Sequence, residues 1–253
     1  MRIRVLGAHG GSSPRHRQTS FLVNDALCLD AGAVTEALSL DAQARVRAVL
    51  VTHSHMDHVS SLPFLVENVF GRTHGPLDVL APVDVLESLK AHLFNDALWP
   101  DFSRIDGESG PSVRFRSVPV GARFEVDALE GLAVKVSHVV PTYGYVLADA
   151  GGAVVFSGDT GPTEEIWAVA RRTPHLKALF VECSFPNDLQ RIADVSQHLT
   201  PRTLRAEMAK FPDGVPVFLY HMKPPGLARL SAEIAALEDP RLKVLADGDD
   251  LTF

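Results

Sequence analysis

The sequence predicts an α/β fold, a four-layer αββα sandwich in which two sheets pack together and helices cover their outer faces. Short apolar runs typical of strands alternate with helical segments along the whole chain. The middle of the chain, residues 112–160, is almost entirely strand-like with glycine turns. No linker rich in glycine, serine or proline divides the sequence. We therefore expect residues 1–253 to form one domain.

The elements follow in order from local pattern. Strands are predicted at residues 3–6, 20–23, 27–30, 45–53, 77–82, 112–118, 123–126, 132–140, 143–149, 153–160, 176–184, 215–221 and 242–246. Helices are predicted at residues 59–69, 82–94, 162–172, 200–210 and 227–238. Thr200 and Pro201 form a typical helix start, an N-cap followed by proline at the first helical position.

Composition and charge exclude several classes of protein. Hydrophobic residues make up 46% and charged residues 22%, as in a globular protein rather than a disordered chain or a coiled coil. No apolar run approaches the roughly 20 residues that span a bilayer, so no membrane partner is expected. The opening MRIRVLGAHGG lacks an apolar signal region, which favours a cytoplasmic location. The net charge of −7, without a basic cluster, argues against a long nucleic acid as partner.

Histidine carries the strongest functional signal. Residues 53–58 read His-Ser-His-Met-Asp-His directly after a buried strand, and such ligands suit divalent metals such as zinc. In an extended segment residues two apart share a face, so His53 and His55 can bind one ion together. Asp57 and His58 then turn towards a second position as the next helix begins. The alternative is a polar loop that happens to carry histidines.

Three further candidate ligands each follow a predicted strand, where α/β proteins commonly gather functional groups. They are His138, Asp159 and His221. Each one alone has an ordinary explanation as a capping, core or turn residue. Beside the histidine motif, they are more simply explained as the remaining ligands of a two-metal site.

Together these segments resemble the metallo-β-lactamase superfamily of metal-dependent hydrolases. The matching stretches are LGAHGG, LDAG, HSHMDH, SHVVPTYGYVL, FSGDTG and FLYHM. The resemblance implies seven ligands for two divalent ions: His53, His55 and His138 for one, Asp57, His58 and His221 for the other, and Asp159 bridging both. It also implies that Asp30 orients the histidine loop without binding metal. Zn²⁺ is the expected metal, and Mn²⁺ or Fe²⁺ suits the same ligands. Ser61 departs from the general HxHxDHxxG pattern, which has glycine there.

Within the superfamily the chain is most similar to the class II 3′,5′-cyclic-nucleotide phosphodiesterases. HSHMDHV, HLFNDALWPDF, FSGDTGP, ECSFP and HLTP carry this likeness, whereas residues 63–67 do not follow that family's usual continuation. It implies hydrolysis of cAMP or cGMP to 5′-monophosphates. Asp57 would orient the attacking water, His198 would contact the phosphate or protonate the leaving oxygen, and Glu182 would orient His198.

The stretch from His92 to Phe102 is a candidate base-recognition loop. Phe94 and Trp99 offer aromatic faces and Asn95 an amide, which together could recognise a purine. The alternative is that these aromatic side chains simply pack into the protein. Exposed aromatics of this kind also make the loop a candidate homodimer interface.

Three rival functions stay open from the sequence. The first is a tRNA 3′-end processing endonuclease, which uses the same metals but needs basic RNA-binding surface. The second is a hydrolase of another small ester on the same scaffold. The third is a non-catalytic metal-binding or regulatory domain, which a complete two-metal ligand set argues against.

Overall fold

Two seven-stranded sheets form the centre of the protein in a computed structural model that describes residues 1–73, 75–107 and 110–253. In chain order the strands are β1 (Arg2–Gly7), β2 (Ser20–Val23), β3 (Leu27–Leu29), β4 (Ala48–Leu50), β5 (Leu77–Ala81), β6 (Asp106–Gly107), β7 (Gly110–Pro111), β8 (Val113–Ser117), β9 (Arg123–Val126), β10 (Leu129–Lys135), β11 (Tyr143–Asp149), β12 (Gly152–Phe156), β13 (Leu176–Glu182), β14 (Val217–Tyr220), β15 (Leu242–Val244) and β16 (Asp250–Thr252).

The helices are mostly short and lie between the strands. They are α1 (Val34–Ala37), α2 (Leu40–Gln43), α3 (Met56–Val59), α4 (Leu62–Val69), α5 (Val83–His92), α6 (Glu165–Arg172), α7 (Gln190–Ser196), α8 (Pro201–Met208) and α9 (Leu227–Ala235). Single 3₁₀ turns cover Phe102–Arg104, Asn187–Leu189 and Pro224–Gly226. In the described ranges, no helix has both the length and the apolar character needed to cross a membrane.

Each sheet combines antiparallel and parallel strands. The first sheet has the order β16-β1-β2-β3-β4-β5-β8, and β3, β4, β5 and β8 run parallel. The second has the order β15-β14-β13-β12-β11-β10-β9, and β12 to β15 run parallel. The loops that leave the parallel strands of one sheet therefore gather at one edge, where functional groups commonly collect.

Two hydrophobic clusters hold the layers together. Between the sheets, the ring of Phe21 from β2 meets Phe156 of β12 at 5.1 Å and Tyr220 of β14 at 5.2 Å between centroids. On the outer face of the second sheet, Trp167 of α6 and Leu204 of α8 are fully buried in a separate cluster. Helix–sheet–sheet–helix layering results, and the predicted αββα fold is confirmed.

The structure shortens several of the predicted strands and helices, and the differences near the histidine motif affect the site. The helix expected at residues 59–69 is two helices, α3 and α4, separated at Ser60 and Ser61. The Ser61 hydroxyl donates to the carbonyl of Ala31 at 2.7 Å and accepts from the amide of Val34 at 2.9 Å. Ser61 has negative φ (−91°), so its position does not need glycine. The strand predicted at residues 45–53 ends at Leu50, which frees His53 to turn into the site.

Candidate metal centre

The seven side chains predicted as metal ligands lie together at the edge where both sheets end. His53, His55, His138 and Asp159 each offer one ligand atom, and these atoms all lie within 4.8 Å of one another. Asp57, His58 and His221 form a second such group. His138, Asp159 and His221 lie far along the chain from the motif at residues 53–58. The fold, and not the local motif alone, therefore brings the two groups together.

Asp159, a member of the first group, also faces the second group. Its Oδ2 atom is 3.6 Å from Nε2 of His53 and 3.2 Å from Nε2 of both His58 and His221. His221 Nε2 also lies 3.2 Å from Oδ2 of Asp57. The Asp159 carboxylate thus has the position expected of a ligand shared by two ions.

Four of the five histidines are held through Nδ1 by protein oxygens. His53 donates to the Thr52 hydroxyl at 3.0 Å, His58 to Asp30 Oδ2 at 2.7 Å, His138 to the Gln197 carbonyl at 3.1 Å and His221 to the Ser184 hydroxyl at 2.9 Å. An imidazole that donates through Nδ1 keeps a lone pair on Nε2. The Nε2 atoms of these four imidazoles face the centre of the cluster, an arrangement typical of metal ligands fixed by outer partners.

Buried polar atoms without partners point to the same conclusion. His53 Nε2 and Asp159 Oδ1 are buried and make no hydrogen bond to the part of the chain that the structure describes. Burial holds the pKa of His53 well below its ordinary value, so its imidazole is neutral near pH 7. Converging lone pairs and a buried carboxylate are costly unless a cation satisfies them. The residues therefore fit divalent metal ions.

Asp30 supports the histidine loop and lies outside both ligand groups. Its Oδ1 accepts from the amide of Thr52 at 2.8 Å, and its Oδ2 accepts from the Thr52 hydroxyl at 2.9 Å and from His58. One carboxylate thus fixes His58 directly and His53 through Thr52. Asp30 holds this position with a left-handed backbone, at φ 55°. The orienting role expected of Asp30 agrees with these contacts.

His221 is positioned by backbone and packing. Its backbone is left-handed, with φ 67°, and its amide donates to the Ala8 carbonyl at 2.6 Å. Gly10 lies against its ring: a Cβ atom at Gly10 would be 2.5 Å from Cε1 of His221. Such a separation is too short for real atoms, so the glycine turn near the N-terminus is needed for the ring to occupy the site.

Glu182 and His198 form a buried pair beside the cluster. His198 Nδ1 donates to Glu182 Oε1 at 2.8 Å, and the Ser184 hydroxyl donates to Glu182 Oε2 at 2.8 Å. The His198 ring lies 5.0 Å from that of His138 and 5.3 Å from that of His221, between centroids. Burial lowers the pKa of His198, but the adjacent Glu182 carboxylate outweighs it, so the net pKa is raised. His198 can therefore carry a proton near neutral pH.

The loop around Phe94 differs from the sequence-based expectation. Phe94 is 2% exposed and packs edge-to-face on Phe115 at 5.6 Å. The buried ring leaves no face for a base, so Phe94 acts as a core residue instead of the expected stacking platform. The Asn95 amide is engaged within its own loop, donating to the Ala91 carbonyl at 2.9 Å and accepting from the Leu98 amide at 2.8 Å. Trp99 is half-buried and packs on Phe64 at 5.0 Å.

Three polar residues of the site are not predicted by any motif in the sequence. Thr52 and Ser184 link the histidines to Asp30 and Glu182, and Lys223 donates to Oδ2 of Asp57 at 3.1 Å. Single hydroxyls and a lysine in a proline-rich turn have no ligand spacing of their own. Their proximity in sequence to His53, Glu182 and His221 is the signal that could have identified them.

Known proteins are similar to this chain along most of its length. A probable 3′,5′-cyclic-nucleotide phosphodiesterase of Yersinia pestis is 25% identical over 275 residues, covering 87% of this chain and 77% of the relative. A ribonuclease Z of Mycobacterium sp. (strain KMS) is 27% identical over 226 residues, covering 81% and 75%. The crystal structure of unliganded yeast PDE1 superposes with a TM-score of 0.82 at 16% identity, covering 100% of this chain and 99% of that one.

The family model described as a β-lactamase superfamily domain matches residues 27–236, which include every residue of the two ligand groups. The match agrees with the two sheets, with the histidine motif after β4 and with the strand-end position of Asp159. The similar proteins include a probable cyclic-nucleotide phosphodiesterase and agree with this match. The chain therefore belongs to the metallo-β-lactamase superfamily of metal-dependent hydrolases.

Proposed function

We propose that this chain, as one metallo-hydrolase domain of residues 1–253, hydrolyses 3′,5′-cyclic nucleotides to 5′-monophosphates with two bound divalent ions. The observation that carries the proposal is the position of Asp159 between two ligand groups, with the Glu182–His198 pair alongside. Ions held in this way would supply Lewis acidity towards the phosphoryl oxygens and an activated water near pH 7. The ligand set of five imidazoles and two carboxylates favours Zn²⁺, and Mn²⁺ or Fe²⁺ would also bind.

His198 has the geometry of a general acid. Its Nδ1 proton is committed to Glu182, which leaves the Nε2 proton for the leaving 3′ oxygen of the substrate. Glu182 is a positioning residue, because it is fully buried and also accepts from the backbone amides of Thr160 and Leu199. These contacts fix the carboxylate and therefore the orientation of the imidazole. Proton donation of this kind typically contributes roughly 10²–10⁴-fold to the rate.

Asp57 is the acidic ligand candidate nearest to solvent. Its side chain is 18% exposed, whereas that of Asp159 is 1% exposed. An accessible carboxylate in the site can orient the attacking water and accept its proton. Asp57 would thus serve both as a ligand and as the group that aligns the nucleophile.

Processing of tRNA 3′ ends is the second candidate function. Relatives named ribonuclease Z match this chain at identities similar to those of the phosphodiesterases. The net charge of −7 favours a small substrate, because binding a long phosphate backbone requires basic surface.

A homodimer through the loop containing Trp99 stays part of the proposal.

Side-by-side assays separate these functions. Turnover of cAMP, cGMP, bis-p-nitrophenyl phosphate and a precursor tRNA should be measured on the same metal-loaded preparation. We expect cyclic nucleotides to be hydrolysed to 5′-monophosphates and the precursor tRNA to stay intact. Cleavage of the tRNA with inert cyclic nucleotides would establish the second candidate instead.

Metal dependence needs its own test. Elemental analysis should find about two transition-metal ions per chain. His55→Ala and Asp159→Ala should lower the metal content and abolish turnover, and chelation should lower the melting temperature because binding stabilises the folded state. His175→Asn, at an exposed histidine outside the ligand groups, is the matched control. Metal-free protein whose activity resists chelators would contradict the proposal.

A further inference from the structure

Lys223 is a cationic side chain directed at the ligand cluster. Its Nζ atom donates to Oδ2 of Asp57 at 3.1 Å, and its side chain is 25% exposed. Among the described residues, no other lysine or arginine makes a hydrogen bond or ion pair with any of the seven ligand candidates. An ammonium group has three protons, and the contact with Asp57 uses one of them. The remaining donors are available to a molecule that enters the site.

The backbone around Lys223 is fixed. Its amide donates to the Ser184 carbonyl at 3.1 Å, and Pro224 follows it, which restricts Lys223 to the extended conformation observed at φ −74° and ψ 122°. Pro224 in turn packs against the glycine turn, since a Cβ at Gly11 would lie 3.2 Å from its ring. The fixed backbone and the contact of Nζ with Asp57 together hold the ammonium group at the edge of the cluster.

Charge balance argues against a purely structural role for this lysine. The ligand carboxylates of Asp57 and Asp159 and the buried carboxylates of Asp30 and Glu182 carry four negative charges, which equal the charge that two divalent ions would bring. Asp57 therefore needs no extra cation once the site is loaded, and the charge of Lys223 is a positive surplus. A positive surplus that is open to solvent is suited to an anionic substrate.

We propose that Lys223 is a substrate-binding residue whose ammonium group binds a non-bridging oxygen of a phosphate ester. This inference rests on the proposed function and deepens it, because it makes the negative charge of the phosphodiester a recognised feature. The site would then select monoanionic phosphodiesters over neutral esters such as lactones. Asp57 holds the ammonium group in place before the substrate arrives.

The test compares Lys223→Met with Lys223→Arg, and with Lys243→Met as a matched control on exposed β15. Binding of inorganic phosphate to the metal-loaded proteins is measured by equilibrium dialysis, and metal content by elemental analysis. We expect Lys223→Met to weaken phosphate binding roughly 10- to 100-fold, because a charge-assisted hydrogen bond is lost. Lys223→Arg should retain most of the binding, Lys243→Met all of it, and the metal content should not change.

Kinetics with bis-p-nitrophenyl phosphate give an independent readout. Lys223→Met should raise KM more than it lowers kcat, whereas loss of a structural ion pair would lower metal content and kcat instead. The inference is overturned if phosphate affinity and KM are unchanged, if affinity falls only in proportion to lost metal, or if the wild-type protein binds no phosphate. Wild-type protein that hydrolyses no phosphodiester refutes the proposed function alone, since the phosphate-binding comparison still decides the role of Lys223.

Discussion

Replacing His198 by asparagine tests the proposed acid without dismantling its surroundings. The asparagine amide nitrogen can occupy about the place of Nδ1 and still donate to Glu182, but asparagine has no proton to give at the position of Nε2. His198→Ala removes both functions. Comparing the two variants therefore separates proton donation from support of the buried carboxylate.

The expected magnitudes follow from the contacts. Loss of a general acid should lower kcat for cyclic nucleotides roughly 10²–10⁴-fold in both variants, or about 3–5 kcal/mol of transition-state stabilisation. The free energy of unfolding should distinguish the two variants, because only alanine removes the 2.8 Å hydrogen bond to buried Glu182. That loss should cost about 1–3 kcal/mol of unfolding free energy, while the contacts from Thr160, Leu199 and Ser184 keep the carboxylate partly satisfied.

The assay compares leaving groups. With bis-p-nitrophenyl phosphate, p-nitrophenolate departs without protonation, so the loss in His198→Asn should be much smaller than with cAMP. Urea unfolding of both variants and elemental analysis check stability and metal content. Near wild-type turnover of cAMP by His198→Asn would refute the acid role, and an equal loss on both substrates would indicate phosphate binding by His198.

Three further predictions concern the surroundings of this pair. Glu182→Gln removes the charge that raises the pKa of His198, so the alkaline limb of the kcat/KM profile should move to lower pH; an unmoved limb would contradict this. Gly10→Ala places a methyl group against His221 and should weaken metal binding roughly 10–100-fold, measured by chelator competition; unchanged metal affinity would contradict the need for glycine at this position. Phe94→Ala should lower the unfolding free energy by about 3–5 kcal/mol in urea and leave the ratio of cAMP to bis-p-nitrophenyl phosphate turnover unchanged; a selective loss on cAMP would restore its base-recognition role.

Periodicity and side-chain chemistry account for what the sequence predicted correctly. Most of the larger strands are apolar runs bounded by turn residues, and the histidine motif is local, so both are readable without a structure. His138, Asp159 and His221 were predicted because each follows such a run. Strand-end position therefore identified residues that the fold brings together from distant parts of the chain.

Tertiary contacts account for what the sequence left out. Asp30 and His221 have left-handed backbones, which aspartate and histidine adopt more readily than most residues, but their identity alone does not show at which positions this occurs. Burial of Phe94 depends on Phe115, which lies in a strand further along the chain. The break before α4 depends on Ser61 bonding to Ala31 and Val34, where a pattern of apolar residues suggested one continuous helix.

The wide spacing of the ligands along the chain sets an order in which the centre can assemble during synthesis. The motif from His53 to His58 leaves the ribosome early. The group that includes His138 and Asp159 has all of its members once β12 has joined its sheet. The group of Asp57 and His58 must wait for His221, which follows β14. Because chains emerge from the N-terminus and ligand binding is coupled to folding, binding of a second ion, as proposed above, would report that the second sheet has been extended to β14. If two ions bind as proposed, we expect a nascent or truncated chain that ends before residue 221 to hold at most one ion, and metal stoichiometry would then report how much of the fold has formed.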